Sequence, residues 1–381
     1  MRVIVGLSGG VDSAVSATLL KKVGCEVVGA FIKTWQPPLM MGQAGGCGWR
    51  EERRDAMRVA AHLNIPFITI DLEKEYKESV VDYMIGEYRS GRTPNPDVMC
   101  NKEIKFGAFM KRALDLGADA IATGHYARTN LQEVPNLETS LQLLCGIDDN
   151  KDQSYFLWTL TQEQLSKTIF PVGHLYKNEV RGLAKKFKLP VANKKDSQGI
   201  CFLGHIDMKD FLSHYIKVEC GNVLNLQGAK IGEHDGAVFY TLGQSWSHSV
   251  LASPRLRKAS KTSRGEYQRL YVIAKDVESN TITVSTKLPT PSNINTQIIK
   301  LKNVNWVSGL VPNTKHLTAQ IRYHGEKLSC RILSRGQSSG HKNYLTGGLT
   351  SVSFAEHVLV ASGQSVVFYN GDVCLGGGIV D

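Results

Sequence analysis

A glycine- and serine-rich stretch near the N-terminus has the composition of an anion-binding loop. Residues 8–13 read Ser-Gly-Gly-Val-Asp-Ser and lie between an apolar run and a helical pattern. The unpaired N–H groups of a first helical turn, the positive end of the helix dipole and the small size of glycine together favour a bound phosphate. No Gly-Lys-Ser/Thr closes the loop, so it is not a Walker A loop. The alternative is an ordinary glycine-rich turn in which Asp12 caps the helix.

Two of the eight cysteines stand in neighbourhoods that favour reactivity. Cys100 follows a rigid Pro-Asn-Pro turn at or near a predicted helix start, with Lys102 and Lys105 close by. Helix N-termini and ammonium groups both favour the thiolate, which is the nucleophilic form. Cys201 follows a glycine turn in the sequence Asp-Ser-Gln-Gly-Ile-Cys. Taken singly, each fits better as a small buried hydrophobic residue; beside a phosphate loop, a reactive pair becomes the better interpretation.

The other cysteines match no catalytic motif, and we expect them to be reduced packing residues. They are too sparse for a disulfide scaffold, and no Cys-x-x-Cys pair announces zinc or a redox dithiol. These residues are Cys25, Cys47, Cys145, Cys220, Cys330 and Cys374.

The elements that must position the loop and the thiols alternate along the first half of the chain. Predicted strands cover 1–7, 26–32, 66–71 and 118–125. Predicted helices cover a first segment with apolar residues at Val11, Val15, Leu19 and Val23, then 50–63, 76–88 and 105–116. Repeated βα units give a doubly wound α/β fold, a parallel sheet with helices on both faces, and ligands gather at the carboxyl ends of its strands. Such ends hold Gly6, Ile32, Gly124 and His125.

Beyond about residue 205 the pattern becomes β-rich. Short apolar runs at 238–241 and 270–273 lie between turn residues, and 245–269 is rich in Ser, Lys and Arg, which predicts a mobile basic loop. Alternating patterns at 319–323, 329–333 and 365–369 predict a small antiparallel barrel. Such barrels serve as nucleic-acid platforms or only pack. The predicted domains are 1–205, 206–284 and 285–381.

Length, charge and hydropathy restrict the class of protein. The chain of 381 residues with 42% hydrophobic content can bury real cores, and its net charge of +10 is typical of proteins that meet polyanions. No apolar run approaches the ~20 residues of a membrane span. Met1 leads directly into the first predicted strand, which leaves no room for a targeting peptide, so we expect a cytoplasmic location without membrane partners.

Several long blocks resemble those of the tRNA-specific 2-thiouridylases, from beginning to end of the chain. They are SGGVDS, NPDVMCNKEIKFG, ATGHYAR, KDQSYFL, FPVGHLYKNEVR, DSQGICFLG, GEHDGAVFYTLGQ and GQSVVFYNGDVCLGGG. The first of these blocks resembles the PP-loop of ATP pyrophosphatases. The resemblance implies a PP-loop ATP-binding catalytic domain like the adenine nucleotide alpha hydrolases, a small central tRNA-binding domain and a C-terminal barrel. It also implies ATP-dependent replacement of the C2 oxygen of the anticodon wobble uridine by sulfur, to give 2-thiouridine.

The resemblance assigns roles position by position. The nucleotide would contact Gly6, Leu7, Ser8, Gly9, Gly10, Val11, Asp12, Ser13, Ile32 and Gly124. The flipped target base would enter a pocket at Asn95, Pro96 and Asp97. Further contacts with the anticodon arm of the tRNA would come from His125, Lys151, Asp152, Gln153, Arg322, Tyr323 and Gln364. The ordinary alternatives are a histidine satisfied at a strand end, a solvated helix cap at 151–153, and common surface residues for the last three.

The resemblance also implies the chemistry. The uracil oxygen would attack the α-phosphate of ATP, pyrophosphate would leave, and the loop with Mg²⁺ would neutralise the developing charge. Cys201 would carry sulfur as a persulfide received from a cysteine desulfurase or a sulfur-relay protein. Cys100 would attack that persulfide to release sulfide, or resolve the mixed species, leaving a Cys100–Cys201 disulfide. Asp97 would act as acid or base beside the target.

Three other interpretations explain part of the sequence. A different PP-loop enzyme, such as a lysidine synthase or an amidotransferase synthetase, would share the loop but lack both cysteine neighbourhoods. A non-catalytic RNA-binding module would explain the charge and the barrel but not the loop, and a redox protein would use Cys100 and Cys201 without ATP. The chain also departs from the family at Gly243-Gln244-Ser245, where relatives have Gly-Gln-Arg, which leaves contacts near 245–269 open.

Overall fold

The computed structural model describes residues 1–37, 48–134, 137–196, 208–217, 219–246, 269–287, 297–314, 316–334, 350–355 and 358–381. In chain order the strands are β1 (Arg2–Gly6), β2 (Glu26–Lys33), β3 (Phe67–Asp71), β4 (Ala120–Ala122), β5 (Ala127–Val134), β6 (Leu137–Cys145), β7 (Thr168–Ile169), β8 (Gly221–Leu224), β9 (Lys230–His234), β10 (Ser245–Trp246), β11 (Leu270–Asp276), β12 (Thr281–Ser285), β13 (Gln297–Trp306), β14 (Thr318–Gln320), β15 (Leu328–Ser334), β16 (Thr350–Phe354), β17 (Ser365–Asn370) and β18 (Val373–Val380).

The α-helices are α1 (Val11–Lys22), α2 (Gly48–Leu63), α3 (Glu73–Tyr76), α4 (Tyr83–Arg89), α5 (Pro96–Met99), α6 (Met110–Asp115), α7 (Gln162–Ser166), α8 (Lys177–Lys186) and α9 (Met208–Ser213). π-Helical stretches at Lys77–Asp82 and Cys100–Phe109 join α3 to α4 and α5 to α6. None of the helices among the described residues is both long and apolar enough to span a bilayer.

The first half of the chain builds a parallel sheet in the order β3-β2-β1-β4-β7, which confirms the predicted α/β fold. β4 is shorter than the predicted strand over 118–125. The central strand β1 pairs with β4 through Val5 and Ala122, so both strands end at the same edge. The loop that follows β1 therefore begins beside Thr123 and Gly124.

Helices cover both faces of this sheet because successive side chains of β1 point in opposite directions. Val3 and Val5 pack with the helices α1, α2 and α8, whereas Ile4 packs with the helical segments between 73 and 115. α1 is enclosed on most of its circumference, and even Ser16 is fully buried. The prediction that Val23 belongs to the apolar face of this helix was wrong, since Val23 lies beyond the helix and is 75% exposed.

The helix predicted at 105–116 begins earlier than expected, at Pro96. Asn95 caps it, because its side-chain oxygen accepts a hydrogen bond from the Val98 N–H at 3.2 Å, and proline is favourable at the first helical position. The helix then widens into the π-helical stretch at Cys100, so the thiol lies one turn from the helix start, as predicted. π-Helical segments occur frequently at functional sites.

The C-terminal strands form the predicted antiparallel barrel. β13, β16, β15, β14, β17 and β18 follow one another, and a β13–β18 pairing closes the ring. The barrel has an addition that the sequence did not predict: the hairpin β5–β6 of the first half pairs with β18, through Leu143 and Cys374. One sheet therefore connects the barrel to the parallel-sheet domain.

The middle of the chain forms a small sheet in the order β10-β11-β12-β8-β9. The prediction of a β run at 238–241 was wrong, because a 3₁₀ turn occupies Ala237–Phe239. The turn is fixed by Asn280, whose side-chain oxygen accepts the Ala237 N–H at 2.9 Å, and by Gly236 at φ +127°. Of the predicted basic loop, Ser245 and Trp246 form β10, and 247–268 lie outside the described residues.

Candidate functional site

The phosphate-type loop is shaped by its glycines. Gly9 has φ +74°, and a Cβ there would lie 2.3 Å from the Glu52 carbonyl oxygen, so only glycine fits. Gly10 caps α1, and within the described part of the chain no side chain caps this turn. The hydroxyls of Ser8 and Ser13 lie 3.3 Å apart, and that of Ser13 donates to the Gly10 carbonyl at 3.2 Å. The loop thus presents first-turn N–H groups on a tightly folded frame.

The other residues predicted to contact nucleotide reach the same edge of the sheet. Gly124 packs on the loop so closely that a Cβ would come 2.7 Å from the backbone nitrogen of Ser13. Ile32 lies near the end of β2 and is only 6% exposed. The structure therefore gathers residues 6–13, Ile32 and Gly124 around the ends of three neighbouring strands.

Asp12, in the first turn of α1, is bound by two residues that the sequence did not assign. The Tyr126 hydroxyl donates to Oδ1 at 2.9 Å, and Lys177 Nζ donates to both carboxylate oxygens, at 2.7 and 2.8 Å. Burial, and then the charge of Asp12, raise the pKa of Tyr126 far above its ordinary value. Tyr126 is therefore a neutral donor at any physiological pH.

Asp196 joins this cluster from the far side. Its carboxylate accepts from Lys151 at 3.0 Å and from Lys177 at 3.0 Å, and it also pairs with Arg181. Burial would raise the pKa of Asp196, but the hydrogen bonds from the two lysines outweigh it and bring the pKa to about 2. Lys151 and Lys177 also line a cleft of about 460 Å³. Asp12, Lys177, Asp196 and Lys151 form one continuous chain of ion pairs, here named the ion-pair chain.

The segment predicted to receive the base lies at the start of α5. Asn95, besides capping the helix, hydrogen-bonds the hydroxyl of Tyr155. The backbone carbonyl of Asp97 accepts from the Asn101 amide at 3.1 Å, and the side-chain oxygen of Asn101 is buried without a partner. The backbone of this segment is held firmly, whereas Asn95, Pro96 and Asp97 themselves stay partly exposed.

An aromatic group faces this segment. The ring of Tyr323 lies 4.4 Å from that of Phe156 and 6.2 Å from that of Tyr155, centroid to centroid. Burial raises the pKa of Tyr323 to about 12, and the carboxylates of Asp152 and Asp97 add to the effect. Tyr323 from the barrel, 152–156 and Asp97 are therefore neighbours, and Arg322 beside them is exposed.

Residues 151–153 lie between the ion-pair chain and the aromatic group around Tyr323. Asp152 accepts the N–H groups of Gly146 at 2.9 Å and of Ser154 at 3.1 Å, so its carboxylate is occupied by its own loop. Gln153 accepts the Tyr126 N–H at 3.1 Å and thereby supports the donor to Asp12. Of the three predicted tRNA contacts, only the Lys151 side chain points to the cleft.

His125 lies behind the loop rather than on its surface. It is 7% exposed and packs against the rings of Phe106 and Phe170. Its Nδ1 lies 2.7 Å from the Thr123 hydroxyl and its Nε2 3.3 Å from Lys105 Nζ. Because an ammonium only donates, Nε2 is the acceptor and Nδ1 carries the proton. Burial, and then the Lys105 charge, hold the pKa of His125 well below its usual value.

Gln364 contacts protein in this structure. Its amide donates to the Thr93 carbonyl at 2.7 Å, and Thr93 N–H donates to the Ser362 carbonyl at 2.8 Å. The Thr93 hydroxyl lies 3.2 Å from that of Thr241, in the loop that leads to β10 of the middle sheet. The barrel and the middle part of the fold thus both hydrogen-bond to the chain just before Asn95.

Of the two thiols predicted to be reactive, Cys100 and Cys201, the structure describes only Cys100. Cys100 is fully buried in the core beneath the parallel sheet. Cys201 lies outside the described residues. Of the cysteines predicted to be packing residues, Cys145, Cys330 and Cys374 are buried, Cys25 is partly buried and Cys220 is exposed, and Cys47 lies outside the described residues.

The sequence analysis assigned no role to three residues of this site, although each lies within one of the family blocks: Tyr126, Lys177 and Asp196. One signal could have identified Lys177: it is the first residue of α8, where the helix dipole disfavours a cation. A lysine at that position needs acidic partners, and the sequence does not show that Asp12 is one of them.

Comparison with known proteins gives matches along the whole chain. Family models match residues 1–205, described as the tRNA methyl transferase HUP domain, 209–286, described as the tRNA methyl transferase PRC-barrel domain, and 296–380, described as the aminomethyltransferase beta-barrel domain. The tRNA-specific 2-thiouridylase MnmA of Geobacillus thermodenitrificans is 42% identical over 382 residues, covering 100% of this chain and 94% of that relative. The tRNA-specific 2-thiouridylase MnmA of Bacillus subtilis is 41% identical over 384 residues, with 100% and 95% covered. Because these alignments run through all three parts of the fold, the chain belongs to the tRNA-specific 2-thiouridylase family.

Proposed function

We propose that this protein thiolates tRNA: it uses ATP to activate the C2 oxygen of the anticodon wobble uridine and replaces that oxygen by sulfur. The observation that carries the proposal is the adjacency of two sites. Residues 151–153 lie between the residues that hold Asp12 of the phosphate-type loop and an aromatic niche beside Asp97: Lys151 pairs with Asp196, Gln153 supports Tyr126, and Asp152 is close to Tyr323. A nucleotide and a base can therefore meet in one place. The relatives named tRNA-specific 2-thiouridylase support the same activity.

The loop has the features that an ATP site needs. Gly9 and Gly124 let the backbone of the loop pack directly against Glu52 and against the strand end after β4, which no residue with a Cβ would allow, and the first turn of α1 offers its N–H groups. Attack of the uracil oxygen on the α-phosphate would expel pyrophosphate and leave AMP attached as the leaving group. Mg²⁺, when bound, would supply positive charge for the phosphates, but Asp12 does not fit as its ligand in this arrangement, because Lys177 and Tyr126 occupy its carboxylate oxygens.

The sulfur would then arrive through the two thiols. A cysteine desulfurase or sulfur-relay protein would transfer a sulfane sulfur to Cys201, forming a persulfide. The Cys100 thiolate would attack the inner sulfur, so that a Cys100–Cys201 disulfide forms and hydrosulfide leaves with the electron pair of the broken S–S bond. Hydrosulfide adds to C2, AMP departs, and an external thiol reductant restores both cysteines. Because Cys100 is fully buried, this step needs local opening around α5.

The base and the rest of the anticodon arm would bind around the aromatic niche. Asn95, Pro96 and Asp97 would line the pocket for the extruded base, with Asp97 as acid or base. Tyr323 offers a stacking face, and the exposed Arg322 and Lys151 offer cations for phosphates. The remaining predicted tRNA contacts would act mainly by positioning the backbone and side chains to which they hydrogen-bond; these residues are His125, Asp152, Gln153 and Gln364.

The test is mass spectrometry of nucleosides from tRNA incubated with the protein, ATP and a persulfide source. We expect 2-thiouridine together with pyrophosphate release that depends on tRNA. Ser13→Ala should lower pyrophosphate release by about 10-fold or more, since the Ser13 hydroxyl ties the loop together, and should leave tRNA affinity unchanged. Ser166→Ala, on the exposed end of α7, is the matched control. Full thiolation by Ser13→Ala would contradict the proposed ATP site.

A further inference from the structure

The phosphate-type loop contains no lysine, yet the fold brings one to it. Lys177, which is 165 positions away from Asp12, places its ammonium on the Asp12 carboxylate. We infer that Lys177 is the charge-balancing and positioning residue of the nucleotide site: it holds Asp12 and neutralises it, so that phosphates can approach the loop. The inference rests on the proposed binding of ATP and adds a residue to it.

The contact has the geometry of a fixed ion pair. Lys177 Nζ lies 2.7 Å from Oδ1 and 2.8 Å from Oδ2 of Asp12, so both carboxylate oxygens are occupied. The Lys177 side chain is 13% exposed, against 31% for that of Asp12. The ring of Tyr126 lies 5.7 Å from the same ammonium and adds a cation–π contact.

The position of Lys177 on its helix is unfavourable for a cation by itself. A cation at the first residue of α8 opposes the helix dipole. The surrounding acids offset this cost: Asp148 accepts the backbone N–H of Lys177 at 2.9 Å, and Asp196 accepts from Nζ at 3.0 Å. The ion-pair chain therefore fixes the ammonium between the loop and Asp196.

Electrostatics gives the reason why the loop needs this lysine. Asp12 lies in the first turn of α1, where its carboxylate is attracted to the same positive helix end that would attract a phosphate. An uncompensated carboxylate there would compete with a bound phosphate and repel it. With Lys177 in place the pair carries no net charge, and the first-turn N–H groups of α1 can face the ligand without a competing carboxylate charge.

A double-mutant cycle on nucleotide affinity tests the inference. The affinity for a non-hydrolysable ATP analogue is measured by calorimetry on the full chain in the presence of EDTA, so that no divalent cation masks the charge of Asp12. We expect Lys177→Gln to weaken binding by about 10-fold or more, and Asp12→Asn to bind at least as tightly as the unmodified protein. The double variant Asp12→Asn/Lys177→Gln should return to within about 3-fold of the unmodified protein.

Rescue by the double variant separates charge balance from a structural role, since a damaged fold would not recover when a second side chain is changed. Lys177→Arg should keep most of the affinity, and Lys185→Gln, exposed on the same helix, is the matched control. Equal affinity in Lys177→Gln, or a double variant as weak as Lys177→Gln, would overturn the inference; the latter would make Lys177 a direct phosphate ligand. Failure of the unmodified protein to bind nucleotide would overturn the proposed ATP site and this inference together.

Discussion

The His125 imidazole is neutral in this site, and its protonation state can be measured directly. Burial and the nearby Lys105 charge lower its folded-state pKa well below the ordinary value near 6.5. Below about pH 6.5, His125 binds a proton in the unfolded chain but not in the folded chain. The contribution of His125 to the stability of the fold therefore falls as the pH falls. A contact of His125 with RNA would therefore involve neither charge attraction nor a proton switch near neutrality.

We predict that the titration midpoint of His125 lies well below the ordinary histidine value near 6.5. The measurement is NMR of protein labelled with ¹³C in its histidine rings, and the His125 signal is the one missing from His125→Asn. Lys105→Gln should move the midpoint only slightly upward, because burial is the larger cause. A His125 signal that titrates near pH 6.5 in the unmodified protein would contradict the buried site.

The thiol pair makes a second residue-level prediction. Cys201→Ser should be unable to hold transferable sulfur, while Cys100→Ser should accept it and stall before release. Both variants should still bind tRNA and nucleotide. A thiol-mapping digest after one turnover without reductant should show a Cys100–Cys201 bridge, and Cys330→Ser, in the buried core of the barrel, serves as the control. Full activity of Cys100→Ser without any bridge would exclude the two-thiol mechanism.

At the scale of elements, the segment ahead of α5 is held by all three parts of the fold. Thr93 contacts Ser362 and Gln364 at the barrel and Thr241 in the loop before β10 of the middle part of the fold. Gly363 packs so closely that a Cβ would lie 2.9 Å from the Thr93 carbonyl oxygen. The barrel therefore helps to set where Asn95, Pro96 and Asp97 stand.

A pair of glycine substitutions isolates this contact. Gly363 and Gly371 both have positive φ, of +91° and +59°, but an added Cβ meets the Thr93 backbone only at Gly363, with nothing within 4 Å at Gly371. Each change to alanine should cost about 1 kcal/mol of stability from backbone strain. Only Gly363→Ala should also reduce kcat/KM for thiolation, by about 10-fold, because it displaces the base-binding segment. Equal kcat/KM in the two variants, measured under conditions where both are folded, would contradict this role of the barrel.

At the scale of the whole molecule, a formal charge of +10 is distributed over a protein whose proposed substrate is a polyanion. Binding of tRNA by such a surface releases counterions, so affinity should fall steeply with salt. We predict at least about a 10-fold loss of tRNA affinity between ~50 and ~200 mM KCl, measured by filter binding. Arg322→Gln should weaken tRNA binding and reduce the slope of log affinity against log salt concentration by about one unit, as expected for the loss of one phosphate contact. A slope near zero would mean that phosphate contacts do not carry the affinity.

The sequence by itself determined the parts of this protein that depend on local pattern. Alternating apolar runs and turns predicted the parallel sheet and the barrel, because the periodicities of strands and helices differ. The loop at 8–13 was predicted because its glycines act locally, whereas the helix start at Asn95-Pro96 was missed, although its cap is also a local signal. The error at 238–241 had a cause that is partly distant in the chain: the run has strand-like residues, but Gly236 and the side chain of Asn280 hold it as a turn.

Only the tertiary structure decided which distant residues meet. Lys177 and Tyr126 reach Asp12, and Gln364 reaches Thr93, because β1 and β4 end side by side and the barrel packs against the first domain. The hairpin β5–β6 likewise joins the barrel through β18. Contacts of this kind depend on the packing of whole elements, and the periodicity of a single chain encodes which face of an element is buried but not its partner. For that reason the sequence predicted the loop and the thiols, and the structure alone supplied the lysine that balances the loop.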